Sequence, residues 1–348
     1  PIGNEKVTTM TLLRALTGLL VLLILSACDS GTRYREIITV APDGNPAAAA
    51  IPPRTSRECN DAMLSTFESC GDLQVMTFFG DFNQLVDFQH HQLMRQFIGD
   101  GSGSGSQRGC SMFEHHTGRE SGLVGRNYDN RSSQVLAGWF HPTGGYASVA
   151  LVPLADLGYS PEAPFDPANE NHRKTLLYAP IMAIEGMNEK GVMVSLASLN
   201  RRPVTQDPAR ESRFLIHLVR EILDHAGSVH EAVSIAEKYN VFDNGRDVIS
   251  HHIILADPYS GSAVLEWHEG VMHLVKDSGD WQVVTNSDLF EVPLDDRRRS
   301  CDRYDSLAKA MNRQQGTMSW QQGMDVLAGV RQKNRSYDID GQMVKVST

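Results

Sequence analysis

From residue 109 onward the apolar positions change their spacing in blocks, and each block predicts one kind of element. SMFEHH and GLVGRNYD read as two short strands joined by a turn at Thr117-Gly118. YASVALVPL, LLYAPIMAIEGMN, GVMVSLASLN, VISHHIILADP, SAVLEWHEG, VMHLVKDSG and WQVVTNS continue the strand-like series, with turns between them. One helical block interrupts it. RFLIHLVREILDHAG is amphipathic, and SVHEAVSIAEKYN opens with Ser228 and Glu231 spaced as a capping box. DRYDSLAKAMNRQ and SWQQGMDVLAGVRQ form a second helical pair. Ahead of all this, Asp61 to Gly99 has helical spacing, as in FNQLVDFQHHQLMRQFIG, and predicts one or two helices. The run GDGSGSGSQRG then breaks every period. Strands, two helices, strands and two helices predict an α+β domain of antiparallel sheets with helices on their faces. No internal repeat of 20–50 residues is visible.

The front of the chain has a different texture. MTLLRALTGLLVLLILSAC carries Arg14 and then runs apolar from Leu19 to Leu25, a signal-peptide pattern too short for a spanning helix. Its end, Leu25-Ser26-Ala27-Cys28, resembles the lipobox of bacterial lipoproteins, whose signals are cut before a cysteine that is then diacylated. That reading makes residues 1–28 a lipoprotein-type signal peptide, with extra residues before Met10, and Cys28 the lipidation site. Residues 29–58 follow as a Pro/Ala-rich tether. The protein is then expected to be exported and held to the bacterial cell envelope through its lipid alone. An ordinary secretory signal with an incidental cysteine is the alternative.

The 348 residues are 41% hydrophobic and 21% charged, a globular composition, and the net charge of −10 leaves no basic tract to follow a phosphate backbone. Nucleic acid is therefore not an expected partner. Arg297 to Arg299 lie beside Asp295 and Asp296 and read as a solvated turn. Of five cysteines, Cys59 and Cys70 are close enough to form a candidate disulfide in an oxidising compartment, which leaves Cys110 and Cys301 over.

Cys110 follows a glycine and the Gly/Ser loop. A thiol becomes a nucleophile only beside a base or with its own ionisation favoured. His116 is six residues away, roughly 20 Å along a strand. Cleavage of the Gly109–Cys110 bond would supply another base: the new α-amine, with an ordinary pKa of about 7.7–8.0, tethered to the thiol itself. Arg126 follows sixteen residues on and Asp129 nineteen, inside GRNYD.

Cys110 with that Arg126/Asp129 spacing resembles the N-terminal-nucleophile hydrolases of the choloylglycine hydrolase and penicillin V acylase group. It is similar also to the acyl-coenzyme A:6-aminopenicillanic acid acyltransferase group. NEKGVMVSLASLN resembles a family strand ending in an asparagine, here Asn200. HHIILADPYSGSAVLEW followed by WQVVTNS resembles the strands leading to the oxyanion-hole asparagine, here Asn286. SCDRYDSLAKAM resembles the start of a late helix carrying a site arginine, here Arg303. These motifs run in family order from Cys110 to about Gln332.

The resemblance implies a four-layer αββα fold, two antiparallel sheets between helical layers, with residues 59–109 a helical pro-segment and 110–348 the catalytic domain. It implies a thioester acyl-enzyme on Cys110, oxyanion donors at Asn286 and Asn200, Asp129 orienting the α-amine, Arg126 favouring thiolate, and Arg303 steadying the group. The expected substrate is an N-acylated small molecule cut at a linear amide C–N bond. An acyltransferase of the same fold and a non-catalytic envelope lipoprotein are the alternatives. The long segment before Cys110 favours the arrangement in which a precursor cuts itself into two chains that stay together. Family members usually continue through closing strands where this sequence reaches GQMVKVST, so the expectation is a short or incomplete C-terminus. No metal or cofactor is expected: His268 to His273 in HEGVMH reads as a hairpin, and nothing resembles a phosphate loop.

Overall fold

The computed structural model describes residues 56–82, 109–116, 122–129, 133–243, 247–276, 279–314, 317–332, 335–339 and 342–346. The expected signal peptide, Cys28, nearly all of the tether, the helical reading of residues 83–99 and the Gly/Ser loop lie outside them.

The large sheet has nine strands in the order β1 (Glu68–Cys70), β2 (Leu73–Gly80), β5 (Val135–Pro142), β6 (Ser148–Pro153), β7 (Glu185–Asn188), β8 (Met193–Pro203), β11 (Val248–Asp257), β12 (Gly261–His268) and β13 (Val271–Val275). A three-stranded sheet places β3 (Gly109–His116) between β14 (Trp281–Val284) and β4 (Gly122–Asp129). All these pairings are antiparallel except β2 with β5, which run parallel over eight residues from Leu73↔Val135 to Gly80↔Pro142. β9 (Glu211–Phe214) and β10 (Tyr239–Phe242) form a short parallel pair, and β15 (Arg335–Ile339) and β16 (Gln342–Val346) a hairpin.

Strand side chains alternate between faces, and the central strands use both faces for cores. On β8, Val194 and Leu196 enter one cluster while Met193 and Ala197 enter another. β11 sends Ile253 and Leu255 to the first and Ile254 and Ala256 to the second. The first core is closed by α3 (Leu215–His225) and α4 (Val229–Ala236), which pack against β7, β8, β11 and β12. On α3, Leu215, Leu218, Val219, Ile222 and Leu223 recur at helical spacing and are at most 1% exposed. Full burial of each such side chain stabilises by about 1.5–3 kcal/mol. The second core lies where β3 and β14 meet β8 and β12, and α6 (Asp302–Arg313) and α7 (Trp320–Val330) close it from beyond the small sheet.

Several expectations change on folding. The stretch read as helical from residue 59 is mixed: α1 (Ser56–Ser65) is followed by β1 and β2, whose alternating burial fits an added strand of the large sheet. LLYAPI forms a 3₁₀ turn over Leu176–Ile181 that contains Pro180, and the strand begins only at Glu185. α2 (Glu170–Thr175), capped by Asn169, was not foreseen. Ser228 caps α4 through the Glu231 N–H at 3.2 Å, but the Glu231 carboxylate accepts from Gly227, so the box is half made. The arginine run is helical, in α5 (Leu294–Ser300), and Arg297 is buried with its guanidinium donating to the Val292 and Leu289 carbonyls.

The Cys59–Cys70 disulfide does not form. Cys59 is a free thiol on α1, and its Sγ donates to the Phe79 carbonyl of β2 at 3.6 Å; burial pushes its pKa up. Cys70 is disulfide-bonded, but not to Cys59. Helix packing on β2 turns the Cys59 thiol toward that strand, which nearness in sequence could not indicate.

Candidate active site

Alternation along β3 gives the site two sides. Cys110, Met112 and Glu114 face the large sheet, while Ser111 and Phe113 face α6 and α7. Cys110 is 1% exposed.

Arg126 lies on β4, beside β3 in the same sheet, and its side chain spans from Cys110 to the large sheet. Its Nη2 donates to Cys110 Sγ at 3.5 Å and to the Leu196 carbonyl at 2.6 Å. Its Nη1 donates to Glu185 Oε2 at 2.5 Å and to Ser195 Oγ at 2.7 Å. Ser195 and Glu185 are partners across the β7–β8 ladder, and Ser195 Oγ also donates to the Glu185 carboxylate at 3.1 Å. Burial works against the guanidinium charge, but the Glu185 carboxylate and the Cys110 thiol outweigh it and hold Arg126 above its usual pKa.

The backbone of Cys110 is held separately. Its N–H donates to Asn286 Oδ1 at 2.8 Å, and its carbonyl accepts from Arg303 Nη1. Arg303, near the start of α6, also donates to Ser111 Oγ at 3.0 Å and to Asn286 Oδ1 at 2.9 Å. Asn286 Nδ2 donates to the Ser198 carbonyl at 2.8 Å. Two donors on one side and a carbonyl on the other fix which way this carboxamide points. Its Oδ1 therefore receives the Cys110 nitrogen.

Asp129 is the ladder partner of Gly109 and is fully buried. A Cβ built on Gly109 would lie 2.8 Å from Asp129 Oδ2 and 3.1 Å from Gln332 Nε2. Only glycine allows the carboxylate to pack against the backbone beside the Gly109–Cys110 bond.

Five of the six expected residues thus converge: Cys110, Arg126, Asp129, Asn286 and Arg303. Asn200 does not join them. It is exposed in an irregular stretch of β8, where Leu199 to Arg201 stand opposite Ser250 alone. Glu185 and Ser195 were missed. Glu185 did leave a signal, as the one acid in the apolar run LLYAPIMAIEGMN, where burial demands a charge partner.

His115 is 4% exposed, and burial lowers its pKa. His252 is fully buried with Nδ1 3.1 Å from Glu266, and His251 contacts Asp243. Glu114, 5% exposed, is pushed up to about 7 by burial, against a 3.0 Å hydrogen bond from Ser262; Asp257 and Asp280 add to the rise. The His268–His273 segment is the expected β12–β13 hairpin. Among the described residues no group of three or more histidine, cysteine or carboxylate side chains gathers to hold a metal ion.

No family model matches the sequence, and no curated protein matches it. Among solved structures the chain is similar to a mutant of conjugated bile acid hydrolase from Clostridium perfringens, at 12% identity over 68% of this chain and 84% of that one, with a TM-score of 0.47. It is similar to penicillin V acylase from Agrobacterium tumefaciens at 15% identity over 69% of each chain, with a TM-score of 0.41. A second variant of the Clostridium perfringens hydrolase gives 10% identity over 69% of this chain and 76% of that one, with a TM-score of 0.41.

Proposed function

We propose that the protein is a self-processing cysteine amidase that hydrolyses a linear amide C–N bond of an N-acylated small molecule, with Cys110 as its N-terminal nucleophile. One observation carries this reading: the Cys110 nitrogen, sulfur and carbonyl are each held by a different distant side chain, Asn286, Arg126 and Arg303. A buried strand residue ordinarily has its N–H and carbonyl paired by the ladder; at Cys110 both are instead given to side chains, beside a thiol held by a third.

Processing begins when Cys110 Sγ attacks the Gly109 carbonyl and the Gly109–Cys110 C–N bond breaks. Gly109 is left as a thioester and the Cys110 nitrogen as a free amine. Water cleaves the thioester, releasing the Gly109 carboxylate and the thiol. The amine stays on Asn286 Oδ1, with the Asp129 carboxylate nearby. In turnover this amine takes the thiol proton and the sulfur attacks the substrate carbonyl. The ammonium then protonates the departing amine, and water releases the acid. The Arg126 guanidinium balances negative charge on sulfur. One Asn286 Nδ2 hydrogen is spent on Ser198, and the second is the proposed oxyanion donor; loss of such a donor costs about 10²–10³ in rate.

The sidedness of the two cores supports a four-layer αββα arrangement in the order α3 with α4, nine-stranded sheet, three-stranded sheet, α6 with α7. Export to an oxidising compartment belongs to the same reading, since Cys70 is disulfide-bonded. Pairing of β2 with β5 favours a second one as well: a segment that supplies strands to the large sheet would stay bound after cleavage, as in the two-chain acyltransferase arrangement.

Intact mass and N-terminal sequencing of wild type against Cys110→Ala test the proposal, followed by acid release from a panel of N-acyl amides. A chain beginning CSMFEHH in the wild type alone is expected. A single uncut chain in both proteins refutes self-processing.

A further inference from the structure

Three side chains outside the Cys110 site form a serine–histidine–aspartate relay. Asp243 Oδ2 lies 2.5 Å from His251 Nδ1, and His251 Nε2 lies 3.4 Å from Ser198 Oγ. Asp243 is itself held: its carboxylate accepts from the Ser250 N–H at 2.8 Å and from Ser250 Oγ at 3.0 Å, and its side chain is 5% exposed. A carboxylate can only accept, so the Asp243 contact places a proton on His251 Nδ1, and in the neutral ring Nε2 is then the acceptor for the Ser198 hydroxyl. His251 keeps 26% of its side chain open to solvent, so the relay is reachable.

The relay's side chains stand on the other face of the sheet from Cys110, although the Ser198 backbone carbonyl accepts from Asn286. Ser198 and His251 are ladder partners, and they share the parity of Leu196 and Ile253, which face the core under α3 and α4. Cys110 approaches the opposite face of this sheet. β8 is irregular immediately after Ser198, where Leu199 to Arg201 stand against Ser250 alone.

We propose that Ser198, His251 and Asp243 form a second nucleophilic site of the serine type, acting on an acyl ester. Ser198 Oγ attacks the ester carbonyl as its proton passes to His251 Nε2. The alcohol leaves with that proton, and Ser198 is left acylated. Water then attacks the acyl-serine and gives one proton to His251. The carboxylic acid departs, and the proton returns to Ser198 Oγ.

The test is a fluorophosphonate probe applied to the full chain carrying Cys110→Ala, which removes the competing thiol, and to the wild type, with adducts located by peptide mass spectrometry. One adduct on Ser198 is expected in both folded proteins, with fluoride released. Asp243→Asn and His251→Gln, verified as folded by circular dichroism, are each expected to slow labelling by about 10²–10⁴-fold. No adduct on Ser198 in the folded wild type overturns the proposal. So does an adduct that forms equally fast in heat-denatured protein or in both substituted ones.

Discussion

Glu185→Gln is the most informative single change, because it separates the fold from the chemistry. The Arg126 side chain is 6% exposed and that of Glu185 15%, with 2.5 Å between Nη1 and Oε2. Removal of one partner from a buried pair leaves an uncompensated charge and typically costs about 3–5 kcal/mol. Here Ser195 Oγ and the Leu196 carbonyl still accept from the guanidinium, which points to the lower end, about 3 kcal/mol. Typical domains are stable by about 5–15 kcal/mol, so the variant should fold with a clearly lower urea midpoint. Replacement of both partners, Arg126→Met with Glu185→Leu, removes the charge altogether and is expected to cost under about 1 kcal/mol. That double variant should recover stability yet fail to process at Cys110, since the guanidinium that faces the sulfur is gone. Urea titrations of the three proteins, in the Cys110→Ala background so that all remain uncut, measure the stabilities; mass spectrometry of the same changes with Cys110 intact measures processing. A Glu185→Gln midpoint within about 1 kcal/mol of the parent would refute the pairing argument, and so would a double variant that processes normally.

Gly109→Ala places a Cβ 2.8 Å from Asp129 Oδ2, so strand pairing must shift at the bond to be cut; a slower appearance of the CSMFEHH chain by mass spectrometry is expected, with Gly109→Ser at least as slow. Glu114 has a folded pKa near 7 against an ordinary 4.5, so the native state binds more protons between those values and stability falls as pH rises from 4.5 to 7, then levels. Glu114→Gln should flatten that slope and gain up to about 3 kcal/mol at pH 8, read from urea midpoints across pH. Alkylation in denaturant without reductant should label Cys59 and leave Cys70 unlabelled; the reverse pattern would refute the pairing seen here.

Local physics determined much of this molecule. Strand alternation around Cys110, the amphipathic stripe of α3, the Ser228 cap and the glycine before the thiol all depend on neighbours within a few residues. Their patterns were therefore legible, and the order of motifs pointed to Arg126, Asp129, Asn286 and Arg303. Tertiary structure alone decided which side chains meet across sheets. Glu185 became the partner of Arg126 because β7 and β4 face one another over a buried gap, where a lone guanidinium would be too costly. Asn200 dropped out because an irregularity in β8 turns it to solvent, and a strand slip reverses facing without leaving any mark in residue type. The Cys59–Cys70 pairing failed for a related reason: thiol direction follows from how α1 packs on β2. Asp243, His251 and Ser198 came together only through the β8–β11 register, since hydrogen bonds between distant residues need a shared frame that no local spacing encodes.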